Sequence, residues 1–85
     1  MASYKLLIKP SAVKEIEVIP KKDRARIVKP IQGLSVNPRP PGCEKLSGEE
    51  KYRVRQGWYR IVYSIDDEAR EVLVFKVSHR KDVYR

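Results

Sequence analysis

Three arginines, Arg53, Arg55 and Arg60, stand in the run KYRVRQGWYRIVYSI from Lys51 to Ile65, which holds no aspartate or glutamate. A guanidinium group stays charged near neutral pH, and its planar fork of donors engages phosphate oxygens in pairs. Read with the side-chain period of a strand, the run sends tyrosines and aliphatics to one side and guanidinium groups to the other. A sheet face that gathers positive charge without acidic neighbours suits a phosphate-bearing partner. The alternative is a solvated outer face, on which glutamate would be as common as lysine and arginine.

Metal-free cleavage of RNA would need three things from such a face. The ribose 2′-hydroxyl must be activated, charge on the phosphorane-like transition state must be stabilised, and the leaving 5′-oxygen must be protonated. Fixed guanidinium groups suit the second task. They are poor bases, because arginine holds its proton far above neutral pH. The candidates for proton transfer lie in the C-terminal run SHRKDVYR, at His79 and Tyr84. Histidine is the residue type most used for proton transfer, but the parity of His79 groups it with Phe75 and Val77 on the helix side, where it would pack or hydrogen-bond. Tyr84 can stack on a base or bond a ribose, or simply plug the chain end. Trp58 shares the parity of the arginines and can stack on a base or cover the sheet edge.

These side chains need elements to position them. Tyr4 to Lys9 reads as a first strand, closed by Pro10 and Ser11, with Ser11 able to cap a short helix that Pro20 stops. Lys21 to Leu34 reads as a second helix, with Ile27, Ile31 and Leu34 on one face. Pro30 conflicts with it, and a kink or early break is expected there. The loop NPRPPG, Asn37 to Gly42, admits no regular structure. A short extended piece at Glu44–Leu46 is followed by strands at Lys51–Gln56, Trp58–Ile65 and Glu71–Ser78, joined at Gly57 and at a turn over Asp66–Ala69. Parity places Tyr52, Val54, Tyr59, Ile61, Tyr63, Ile65, Leu73, Phe75 and Val77 on the buried face. The opposite parity gathers Arg53, Arg55, Arg60, Lys76, Ser78 and Arg80. The plan is α+β: two N-terminal helices on one face of a mainly antiparallel twisted sheet, in the order β-α-α-β-β-β.

At 85 residues the chain is expected to form one domain, residues 1–85. Nineteen Lys and Arg against eleven Asp and Glu give a net charge of +8, which favours a polyanionic partner over a neutral one. General solubility is the competing explanation of that excess. No apolar run approaches a membrane span or a signal segment, so no membrane partner is expected. The single Cys43 offers neither an intrachain disulfide nor a metal-ligand spacing, in keeping with a cytoplasmic protein. Neither a nucleotide-binding glycine loop, a Ser or Cys triad, nor a carboxylate cluster for two metals is found. No cofactor or metal is expected.

Four segments in order, KKDRARIVKPIQGL, NPRPPGCEKL, YRVRQGWYRIVYSIDD and VLVFKVSHRKDVYR, resemble the RelE branch of the RelE/ParE family, toxins of type II toxin-antitoxin pairs. The likeness covers nearly the whole chain. It implies a fold like that of microbial ribonucleases, and an mRNA interferase that enters the ribosomal A site and cleaves mRNA there without a metal. It further implies a cognate antitoxin that wraps the toxin in a hetero-oligomer. Carried over by position, the family's basic pair falls on Arg53 and Arg55, its next-strand arginine on Arg60, its C-terminal arginine on Arg80 and its tyrosine on Tyr84. Some relatives carry lysine where Arg53 and Arg55 stand, and lysine can lose its proton more readily. Two alternatives stay open: a non-enzymatic gyrase inhibitor, as in the ParE branch, and a basic nucleic-acid-binding module without toxicity.

Overall fold

In a computed structural model, which describes residues 3–46, 48 and 50–79, the elements run β1 (Lys5–Ile8), α1 (Pro10–Glu17), α2 (Lys21–Gly33), β2 (Glu44–Lys45), β3 (Tyr52–Gln56), β4 (Tyr59–Asp66) and β5 (Glu71–His79). Pro10 opens α1 instead of only ending β1. Its fixed φ and missing amide hydrogen suit the first helical position, so Lys9, not Ser11, occupies the N-cap position, and the helix start has no side-chain cap. The expected break at Pro30 does not occur, because α2 runs through it to Gly33. An internal proline costs about 3 kcal/mol. Ile31 and Leu34, beyond the proline, are only 2% and 1% exposed. Burying each contributes about 1.5–3 kcal/mol, which together exceeds that cost.

The sheet has the order β1-β5-β4-β3-β2, antiparallel throughout except for the parallel β1–β5 pair. Both helices supply the apolar layer over one face. Ala12, Ile19, Ile27, Ile31 and Leu34 meet Ile61, Tyr63, Val72, Val74 and Val77 in the core.

One bulge changes the expected facing of β5. Val62 pairs with Lys76 and Tyr63 with Val74, so Phe75 is an extra residue on its strand. The buried apolar residues of β5 are therefore Val72, Val74 and Val77, not Leu73, Phe75 and Val77. A one-residue insertion inverts every parity before it, which strict alternation cannot anticipate. Phe75 lies instead beneath the ammonium groups of Lys9 and Lys51, at 4.7 and 4.4 Å from its ring centre. β1 pairs with β5 only as far as Val74. Beyond that point the Val77 amide donates to Glu15 Oε1 of α1 at 2.9 Å, which satisfies a strand edge that would otherwise lie open.

The proline-rich loop is fastened from two sides. Tyr63, fully buried, donates its hydroxyl to the Pro38 carbonyl at 2.7 Å. Arg39 grips Asp67 in the β4–β5 turn with both terminal nitrogens, at 3.2 and 2.9 Å, while Tyr4 donates to the same carboxylate at 2.8 Å. The Arg39 and Tyr4 hydrogen bonds hold Asp67 below the ordinary carboxylate range, and the bond to Asp67 raises the Tyr4 phenol. Burial, and then the neighbouring Cys43, raise the Tyr63 phenol strongly. The loop thus delivers Glu44, the first residue of β2, to a fixed place beside β3.

Candidate functional site

The outer face of the sheet, away from the helices, collects the arginines as register dictates. Arg55 lies directly opposite Arg60 across the β3–β4 pair, Arg53 lies opposite Val62, and Arg60 lies opposite Ser78 of β5. Like charges placed directly across a strand pair destabilise it. Among the described residues neither Arg55 nor Arg60 has an ion-pair partner. Their juxtaposition therefore costs stability and leaves two guanidinium groups for an anion from outside. Lys76, exposed and opposite Val62, extends the positive surface along β5.

Arg53 differs from the other two. Register places Glu44 of β2 opposite it, and Arg53 Nη2 donates to Glu44 Oε1 at 3.2 Å. Its side chain is 22% exposed, and its Nε is buried without a hydrogen-bond partner. The face expected to be free of acid thus contains a carboxylate, contributed by a two-residue strand outside the acid-free run. Glu44 is the residue that sequence reasoning missed. The signal was there in the short extended piece at Glu44–Leu46, but a strand of two residues gives alternation too little length to fix its partner. Among the described residues no three of His, Cys, Asp or Glu gather where a metal ion could be held.

The candidates for proton transfer separate. His79 lies on the helix side, pairing with Tyr59 in register and meeting its ring edge-on at 5.0 Å between centres. Both rings line a cleft of about 450 Å³ between the α1–α2 junction and the end of β5, together with Glu15, Val18, Ile19 and Val77. The packing role expected for His79 matches this placement. Arg80 and Tyr84 lie outside the described residues, so the structure brings together Arg53, Arg55 and Arg60 of the five site residues.

Comparisons with known proteins agree on one family. A family model described as the ParE toxin of the type II toxin-antitoxin system parDE matches residues 6–84. The toxin-antitoxin complex RelBE2 from Mycobacterium tuberculosis contains a chain that superposes with a TM-score of 0.82 at 30% identity, covering 92% of this chain and 99% of that one. The archaeal RelE-RelB complex from Pyrococcus horikoshii gives 0.82 at 27% identity, with 92% and 96% covered. The isolated RelE toxin of Escherichia coli gives 0.80 at 29%, with 96% and 92% covered. Toxin RelG of Mycobacterium tuberculosis is 47% identical over 34 residues, a stretch that spans 40% of this chain and 39% of the relative.

Proposed function

The chain belongs to the RelE/ParE family and is a RelE-like toxin of a type II toxin-antitoxin pair; on that premise we propose that it is a ribosome-dependent mRNA endonuclease. The observation that carries this reading is the facing pair Arg55 and Arg60, two cations held opposite one another with no described counter-ion. A scissile phosphate between them would relieve their repulsion and gain paired hydrogen bonds that strengthen as charge develops on its oxygens. Arg53 adds a third guanidinium, and Arg80 and Tyr84 complete the set on the family's pattern.

The proton that leaves the ribose 2′-hydroxyl needs an acceptor, and arginine is a poor one. Glu44 is the carboxylate that touches the cationic face, at hydrogen-bond distance from Arg53. It is our candidate base, with Arg53 orienting it. The hydroxyl oxygen then attacks phosphorus, the bond to the 5′-oxygen breaks as that oxygen takes a proton from solvent water and leaves as a 5′-hydroxyl, and a 2′,3′-cyclic phosphate remains. A cognate antitoxin is the expected partner, since several solved relatives are toxin-antitoxin complexes.

The rival is gyrase inhibition, favoured by the ParE description of the matching family model. Purified toxin added to ribosomes programmed with a defined mRNA separates the two. Cleavage at fixed codon positions, lost in Arg60→Ala, is the expected result. Intact mRNA together with blocked supercoiling by gyrase would overturn the proposal.

A further inference from the structure

Trp58 stands where turn chemistry alone would place something small or polar. The β3–β4 hairpin closes on the pair Gln56 and Tyr59, leaving Gly57 and Trp58 as its two turn residues. Gly57 takes a positive φ of 59° and Trp58 does not, the pattern of a type II′ turn. Gly, Asn, Asp and Ser dominate such positions. Here the second is the single tryptophan of the sequence, and it is 61% exposed. The other large apolar side chains exposed among the described residues are Val13, Val18 and Val36, all aliphatic. Just inside this turn lies the facing pair Arg55 and Arg60.

A largely exposed indole in the turn next to the register pair Arg55 and Arg60 offers both things single-stranded nucleic acid requires, a π-face for a base and cations for the adjoining phosphate. The tight turn holds the backbone of Trp58 in place, so little freedom is lost when a base settles on the ring. Charge favours this occupant over a protein segment that lacks acidic groups. We propose that Trp58 is a stacking residue for a base of single-stranded RNA whose phosphate lies between Arg55 and Arg60. The inference rests on the RNA-directed reading above and adds a recognition residue to it.

Because the chain has one tryptophan, its emission reports on this position alone. The probe is a fluorescein-labelled single-stranded RNA dodecamer with 2′-O-methyl sugars, which cannot undergo attack by the 2′-oxygen, titrated against the intact chain. Tryptophan emission is followed with unlabelled dodecamer, and binding separately by the anisotropy of the labelled one. The expected result is quenching that tracks binding, with affinity about 5- to 150-fold weaker in Trp58→Ala and largely restored in Trp58→Phe. A dodecamer carrying abasic sites should bind wild type and Trp58→Ala alike. Anisotropy that reports binding while emission stays constant and Trp58→Ala binds normally overturns the stacking inference and leaves the RNA reading standing. Quenching by the cognate antitoxin and not by RNA overturns it too, and marks the turn as a protein contact. Absence of RNA binding, on the oligonucleotide and on programmed ribosomes alike, removes both.

Discussion

At the scale of single residues, the site is defined by what its charges lack. Arg55 and Arg60 oppose each other in register, and this arrangement separates their stability effect from their chemical one. Arg60→Ala is expected to lower mRNA cleavage on programmed ribosomes by about 10²- to 10³-fold, the range for removing one donor to a developing oxyanion. Its thermal midpoint should stay level or rise, since a like-charge contact disappears. A lower midpoint would mean that Arg60 serves the fold. Glu44 gives the complementary case. Glu44→Gln removes a negative charge from the cationic face and keeps the shape, so RNA binding should hold or tighten while cleavage falls about 10²- to 10⁴-fold. Undiminished single-turnover cleavage in this variant would exclude Glu44 as the base. The arginines were legible from alternation in β3 and β4. Glu44 was not, because its role depends on pairing with a residue nine positions away in sequence.

At the scale of elements, the bulge in β5 decides which side chains reach the core, and one helix residue holds its open edge. Glu15 accepts from the Val77 amide at 2.9 Å, and Glu15→Ala would leave that part-buried donor unsatisfied. A loss of about 1–3 kcal/mol is expected, read as a fall of several degrees in the melting midpoint. Glu15→Gln should recover most of it, because the amide oxygen still accepts. Helix α2 tests the opposite sign. Pro30 leaves a gap in the backbone ladder that tertiary burial of Ile31 and Leu34 outweighs. Pro30→Ala should therefore raise stability by about 1–3 kcal/mol without altering cleavage. The helix limits could be read from proline and apolar spacing. Its continuity through Pro30 could not, because the compensating burial comes from the sheet.

At the scale of the whole molecule, the proline-rich loop, the β4–β5 turn and the N-terminal strand are tied at Asp67 by Arg39 and Tyr4. The folded carboxyl titrates below its ordinary value, so the unfolded chain takes up the proton first as pH falls. The clasp contributes fully above the usual aspartate range and is lost as pH drops through the folded value. Tyr4 has the opposite sense, since its raised phenol keeps the contact below its ordinary value and loses it as pH rises through the folded one. Melts of wild type and Asp67→Asn between about pH 7 and pH 3 should show a gap at neutral pH that closes on the acid side. A gap of constant size would remove Asp67 ionisation as its source. Tyr63→Phe probes the buried tether, where loss of the bond to the Pro38 carbonyl should cost about 1–3 kcal/mol. The loop and its turn were legible as segments, but their joining was not, since Arg39 and Asp67 lie 28 positions apart.

What the sequence by itself determined is local and periodic. Proline placement, apolar spacing and strand alternation gave the α+β order, the two helices, the hairpins and the side of β3 and β4 on which the arginines stand. Tertiary structure alone decided the rest: the facing of β5, inverted before its bulge at Phe75, the neutralising of Arg53 by Glu44, and the exposure of Trp58 beside Arg55 and Arg60. The division has one physical cause. Periodicity records which side of its own element a residue occupies, whereas a bulge, an ion pair or a shared site depends on the register between elements, which is settled only when the core closes.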